Sequence, residues 1–166
     1  TFIQPVVDHL AEVGAPYIGV LYAGLMLTAD GPKLLEFNCR FGDPEAQAVL
    51  PLLDDDLAEV ALACANESLG ERRLRWGGAS CTVVAAAAGY PAEPVKGAAI
   101  AFGDNLDGAV VFHAGTDGAV VTGGRVLAVT GLGDDLGVAR GRAYQRMASI
   151  RFEGMQVRRD IGWRAI

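Results

Sequence analysis

A chain of 166 residues with 51% hydrophobic and 20% charged side chains has enough apolar material to bury a core and is too apolar to be disordered. Its formal net charge of −6 argues against a general nucleic-acid surface, which requires a clustered basic footprint. The longest apolar run, around Cys81 to Ala88, falls far short of the ~20 residues of a membrane span. Cys39, Cys64 and Cys81 are odd in number and lack CxxC spacing, which speaks against a disulfide framework or a zinc site. Without a basic leader followed by an apolar segment, a soluble cytoplasmic protein is expected. The start at Thr1, with no initiator Met, leads us to expect a piece of a larger protein.

From the N-terminus, QPVVDHLAEV (Gln4 to Val13) carries apolar residues at helical spacing, with Gly14 as a stop. YIGVLYAGLMLT (Tyr17 to Thr28), a turn at Ala29-Asp30-Gly31-Pro32 and Lys33 to Asn38 predict a β-hairpin. After the Gly42-Asp43-Pro44 corner, Glu45 to Leu53 reads as a short helix. Asp54-Asp55-Asp56 caps a second helix running to about Asn66.

The glycine-punctuated stretch GERRLRWGG (Gly70 to Gly78) reads as a linker, which sets domains at 1–72 and 73–166. Beyond it, Cys81 to Ala88, Ala98 to Phe102, Ala109 to Ala114, Val120 to Thr122 and Arg125 to Thr130 are β-prone runs, as in a small sandwich or barrel. A helix from Asp134 or Asp135 to about Ile150 aligns Leu136, Ala139, Ala143, Met147 and Ile150 on one stripe. The fold class is therefore α+β. Seven arginines, Arg140, Arg142, Arg146, Arg151, Arg158, Arg159 and Arg164, crowd the C-terminal end. The plainer reading is a solvated helix face followed by a polar tail, and the sharper one is a phosphate-binding patch.

Chemistry concentrates in LLEFNCRFGDPE (Leu34 to Glu45). Alternation along a strand places Leu35, Phe37 and Cys39 on one face and Leu34, Glu36, Asn38 and Arg40 on the other. Glu36 and Asn38, roughly 6–7 Å apart along the strand, are able to converge on one hard cation through oxygen atoms, while Arg40 offers a planar fork for phosphate. Spacing alone slightly favours the plainer reading, a wet strand face. His113 and His9 read as structural residues, with a site-facing role for His113 left open. Tyr22 and Met26 read as packing residues.

The string GVLYAGLMLTADGPKLLEFNCRFGDPEAQ, followed in order by VFHAGT (Val111 to Thr116), GGRVLAVTGLGD (Gly123 to Asp134) and RRDIGWRAI (Arg158 to Ile166), resembles the glycinamide ribonucleotide synthetases, or phosphoribosylamine–glycine ligases, of the ATP-grasp superfamily. The resemblance covers essentially the whole chain. It implies the C-terminal half of an ATP-grasp domain, an antiparallel hairpin plus helices, followed by a small β-rich domain with one long helix.

The resemblance further implies that Glu36 and Asn38 are ligands of magnesium or manganese bridging to ATP phosphates. Arg40 falls near the transferred phosphoryl group, and Asp43 is a candidate substrate contact. The implied reaction joins glycine to 5-phosphoribosylamine with ATP as co-substrate, through glycyl phosphate, in purine biosynthesis. Partners are then ATP, both substrates and the N-terminal part of the same enzyme, with no nucleic acid and no membrane. No Ser, Cys or His nucleophile is needed, because ATP supplies the activation.

Two departures stand out. The strand before Glu36 reads Val20-Leu21-Tyr22-Ala23-Gly24, without the acid many ATP-grasp enzymes carry there, and TGGRV (Thr122 to Val126) lacks a further polar residue, leaving Arg125 unassigned. The chain has only Lys33 and Lys96 as lysines and no G-x-x-x-x-G-K loop, so it is expected to be catalytically incompetent alone. The contrasting reading is a non-catalytic ATP-grasp remnant or assembly module.

Overall fold

The computed structural model describes residues 1–165. The chain divides into two compact units, residues 1–45 with 55–75, and residues 46–54 with 76–166.

In the first unit, helix α1 (Ile3–Glu12) is amphipathic and has no buried residue. The chain then runs irregularly as far as Leu21, so the hairpin starts later than the apolar run implies. Gly19 at φ 136° and the Tyr17 hydroxyl, which donates to the Val20 carbonyl at 2.8 Å, hold this stretch out of a strand. Strand β1 (Tyr22–Thr28) pairs antiparallel with β2 (Gly31–Asn38) across a two-residue turn.

Helix α3 (Leu57–Ala65), numbered after a short α2 described below, begins where the acidic triplet predicts. The Asp56 carboxylate accepts from the Ala58 and Glu59 amides and satisfies two of the donors a helix start leaves free. Its neighbour Asp55 clasps the following loop, accepting from the Arg75 amide at 2.7 Å and from Arg72 Nη2 at 3.0 Å. Those bonds hold the Asp55 carboxyl below the usual carboxylate range, the Arg75 amide being the larger influence.

The second unit opens with helix α2 (Glu45–Val49), whose first residue is counted with the first unit, and a 3-10 turn over Leu50–Leu52. The sequence reading places 46–54 in the first domain, but two side chains of the sheet that follows and one backbone amide before it anchor it to the second unit. The Ser80 hydroxyl donates to the Ala48 carbonyl at 2.6 Å, Thr130 Oγ1 to the Gln47 carbonyl at 2.9 Å, and the Gly77 amide to the Leu52 carbonyl at 2.9 Å.

The strands are β3 (Ala79–Ala86), β4 (Ala101–Phe102), β5 (Ala109–His113), β6 (Thr116–Asp117), β7 (Val120–Val121), β8 (Arg125–Gly133), β9 (Ile150–Arg151) and β10 (Gln156–Val157), with helix α4 (Leu136–Ala148) between β8 and β9. In place of the expected sandwich or barrel, they form one four-stranded antiparallel sheet, ordered β10-β3-β8-β5, and two two-stranded ladders, β4-β9 and β6-β7. The core lies between that sheet and α4. Val83, Ala85, Leu127 and Val129 meet Ala139, Ala143, Met147 and Ile150, all buried. Each fully buried Val, Leu or Ile side chain contributes about 1.5–3 kcal/mol. Asp135 caps α4 by accepting from the Val138 amide at 2.8 Å.

The arginine-rich end is less solvated than the charge run predicts. Arg146, 3% exposed, donates to the Gly103 carbonyl, Ser149 Oγ and Asn105 Oδ1. Arg140 reaches the Ile161 and Arg159 carbonyls, and Tyr144 Oη donates to the Arg158 carbonyl while accepting from the Ile161 amide. Arg158 forms a two-pronged pair with Asp160 on the surface. Arg140 and Arg146 thus tie the C-terminal tail and a neighbouring loop to α4. No helix among the described residues is long and apolar enough to cross a membrane.

Candidate metal and phosphate site

Strand β2 brings Glu36 and Asn38 together. Asn38 Nδ2 donates to Glu36 Oε1 at 2.9 Å, so the two side chains converge on one side of the ladder. Rotation of the carboxamide exchanges its nitrogen and oxygen, which lets the same pair present two oxygens to a cation. Glu36 is exposed and Asn38 half-buried. The described residues contain no group of three or more His, Cys, Asp or Glu able to hold a metal ion. One carboxylate and one carboxamide suit magnesium or manganese, which complete six oxygen positions with water and phosphate.

The rest of the predicted row is not arranged by simple alternation. The register pairs Gly24 with Glu36 but Leu25 with Leu34, so Leu35 is an extra residue in a β-bulge. Leu34 thereby pairs with the residue next to Gly24, which points to the other face, and is removed from the Glu36 row. The ladder ends at Asn38, and Cys39 and Arg40 lie in a bend, so strand geometry does not carry Arg40 onto that face.

Arg40 is exposed, with Nη1 donating to the Phe41 carbonyl at 2.8 Å, and Asp43 is exposed in the FGDPE corner. On the predicted apolar face, Leu35 is 63% exposed and Cys39 is also exposed. Met26 is likewise 52% exposed rather than packed.

Two residues outside the predicted set adjoin the pair. Tyr22 lies opposite Asn38 in the register, and its hydroxyl donates to Glu45 Oε1 at 3.4 Å. Burial, then Glu45 and more weakly Glu36, push the Tyr22 phenol up from its ordinary value. Gly24 faces Glu36 itself. A glycine inside an otherwise apolar strand was the one available sequence signal for it.

In the second unit, VFHAGT and TGGRV are brought into contact. The Thr122 and Gly123 amides both donate to the Gly115 carbonyl, at 2.8 and 3.1 Å. A Cβ on Gly115 would stand 2.7 Å from Gly123 Cα, so the close backbone approach accounts for these glycines. His113 Nδ1 lies 2.9 Å from Thr116 Oγ1, and its ring tilts against Phe102 at 5.5 Å, so a structural bond fixes the ring. It also lines a groove of about 540 Å³ shared with Asn105 and Arg146.

Among solved structures, the biotin carboxylase domain of Hydrogenobacter thermophilus 2-oxoglutarate carboxylase, described in complex with MgADP, matches with a TM-score of 0.62. It is 19% identical, covering 92% of this chain and 35% of that one, a likeness of fold. The ATP-grasp (A) domain model of phosphoribosylglycinamide synthetase matches residues 1–46. Hairpin and fold, together with that match, define an α+β chain of ATP-grasp type. The C domain model of the same synthetase matches residues 80–164, and the chain belongs to the phosphoribosylglycinamide synthetase family.

Relatives agree along its whole length. The trifunctional purine biosynthetic protein adenosine-3 of Gallus gallus is 51% identical over 100% of this chain and 17% of its own length. The phosphoribosylamine–glycine ligase of Mycobacterium leprae is 47% identical over 99% of this chain and 40% of its own. The crystal structure of the Thermotoga maritima ligase matches with a TM-score of 0.80 at 35% identity, over 91% of this chain and 39% of that one. The chain thus spans two-fifths or less of the length of these relatives.

Proposed function

We propose that this chain is part of an ATP-dependent phosphoribosylamine–glycine ligase, which joins glycine to 5-phosphoribosylamine through glycyl phosphate, releasing ADP and phosphate, in purine biosynthesis. The observation that carries the reading is the convergence of Glu36 and Asn38 on one face of an exposed hairpin, in a chain aligned end to end with ligases at 47% identity. Residues 1–72, apart from the 46–54 segment held by the second unit, would be the later part of the ATP-grasp domain and 73–166 the small C-terminal domain. The MgADP of the Hydrogenobacter neighbour supports a nucleotide with a divalent cation in this fold.

Glu36 and Asn38 would hold magnesium or manganese through their oxygens, and a bound cation supplies charge neutralisation at the phosphates. Arg40 would orient phosphoryl or acyl-phosphate oxygens through its planar donors, and Asp43 would contact substrate. The exposed guanidinium keeps donors in reserve beyond its bond to Phe41. Alignment and charge neutralisation are the protein's share of such phosphoryl chemistry, which needs no covalent nucleophile.

The test is a chimera in which this chain replaces the matching segment of the Thermotoga maritima ligase. ADP formation dependent on both glycine and phosphoribosylamine is expected. A chimera that folds with the parent's stability yet forms no ADP would overturn the reading.

A further inference from the structure

Gly24 is a glycine without a backbone reason. Its φ lies outside the left-handed region, and the extra residue of the adjacent bulge sits on β2, so neither turn nor bulge calls for glycine at this position. Inside a strand a glycine costs about 0.5–1 kcal/mol relative to alanine, a penalty that a close approach offsets.

That approach is visible. A Cβ built on Gly24 would stand 3.1 Å from Glu36 Cγ, 3.7 Å from Tyr22 Cε1 and 3.8 Å from the Glu36 carbonyl oxygen. The Glu36 side chain therefore crosses β1 through the space a side chain at position 24 would fill. From there its Oε1 meets Asn38 Nδ2 at 2.9 Å. Tyr22, tied to Glu45, flanks the same space.

We infer that Gly24 is a positioning residue for divalent-cation binding: its missing side chain seats the Glu36 carboxylate beside Asn38. This rests on the cation reading of Glu36 and Asn38, and it adds a residue that touches neither cation nor nucleotide. A side chain at position 24 pushes Glu36 out of that seat and separates the two oxygens. Ordinary contact begins near 3.4 Å, so alanine demands a shift of a few tenths of an ångström and valine a larger one.

The experiment uses the ¹⁵N-labelled 166-residue chain titrated with manganese chloride, reading paramagnetic broadening of the Asn38 side-chain amide. Broadening centred on residues 36–38 is expected for the parent and should vanish in Glu36→Gln. Gly24→Ala should raise the manganese midpoint by about 2- to 10-fold, the range equivalent to driving one side chain off its rotamer, and Gly24→Val by more. Unchanged cross-strand β1–β2 contacts serve as the fold control.

Equal midpoints in parent, Gly24→Ala and Gly24→Val would overturn the inference while leaving the cation site intact. If the parent itself shows no selective broadening, the cation reading fails, and the metal-free spectra decide the seating claim. Gly24→Val should then shift the Asn38 side-chain amide as Glu36→Gln does, and an unmoved resonance would overturn it.

Discussion

Thr130 is the buried polar residue on which the placement of segment 46–54 turns. Fully enclosed in β8, its Oγ1 donates to the Gln47 carbonyl at 2.9 Å and lies 2.7 Å from Thr82 Oγ1. Thr130→Val keeps the shape and removes the oxygen, so the Gln47 carbonyl and the Thr82 hydroxyl each lose a partner in a half-buried setting. Leaving such a group unsatisfied costs roughly 1–3 kcal/mol, which for a unit of about 100 residues is about 5–15 °C in Tm. Differential scanning calorimetry and urea unfolding should agree within that range. Thr130→Ser, which keeps the hydroxyl, should lose less. The double variant Thr82→Val/Thr130→Val should cost less than the sum of the single changes, because no hydroxyl of the pair is then stranded. Faster amide exchange in α2 should accompany the loss in Thr130→Val. A change below about 0.5 kcal/mol would refute the anchoring argument, since that is the range of surface substitutions away from any such feature.

In the chimeric ligase, Glu36→Gln should lower kcat/KM by at least about 100-fold with Tm unchanged, the scale of losing one charge-stabilising group; equal loss of fold and turnover would remove the metal-ligand role. Tyr144→Phe removes a hydroxyl that serves both the Arg158 carbonyl and the Ile161 amide, so trypsin should cut after Arg158 or Arg159 faster than in the parent. Asp55 gives a pH signature. Its carboxyl is held below the ordinary value of about 3.9, so its stabilising effect is full above that value and fades as pH falls through the lower folded one. The Arg75 amide resonance should therefore titrate with a midpoint under 3.9, and a midpoint at or above it would contradict the clasp. Hydrogen exchange should be slowest in β3 and β8 and fast in β1 and β2, where Leu27 is 82% and Leu35 63% exposed.

What was legible in the sequence followed local rules. Asp56 and Asp135 announce helix starts because a cap is chosen within three residues of the amide it serves. The five predicted β runs of the second unit each overlap an observed strand, since β-branched residues between glycine turns carry their own boundaries. What was illegible depends on partners far along the chain. The anchoring of 46–54 rests on bonds spanning 83 and 32 residues, which no periodicity records. Arg146 reads as one charge in a basic run, and only the return of Gly103 and Asn105 beside it makes it a buried staple.

The candidate site divides along the same line. Glu36 and Asn38 are separated by one residue, so alternation suffices to place them together, and the bond between them needs nothing else. Leu34 defeats the same rule, because a single extra residue reverses the face of everything beyond it, and whether a bulge is present is decided by the opposite strand. Arg40 lies past the end of the ladder, where alternation has no meaning. The opposite strand also determines what the pair can reach. With Gly24 facing Glu36 and Tyr22 facing Asn38, β1 offers no second carboxylate, and any cation held here has to draw most of its ligands from water and phosphate. A site so sparsely furnished would hold a cation weakly by itself, and nucleotide phosphate would tighten it by supplying the missing oxygens.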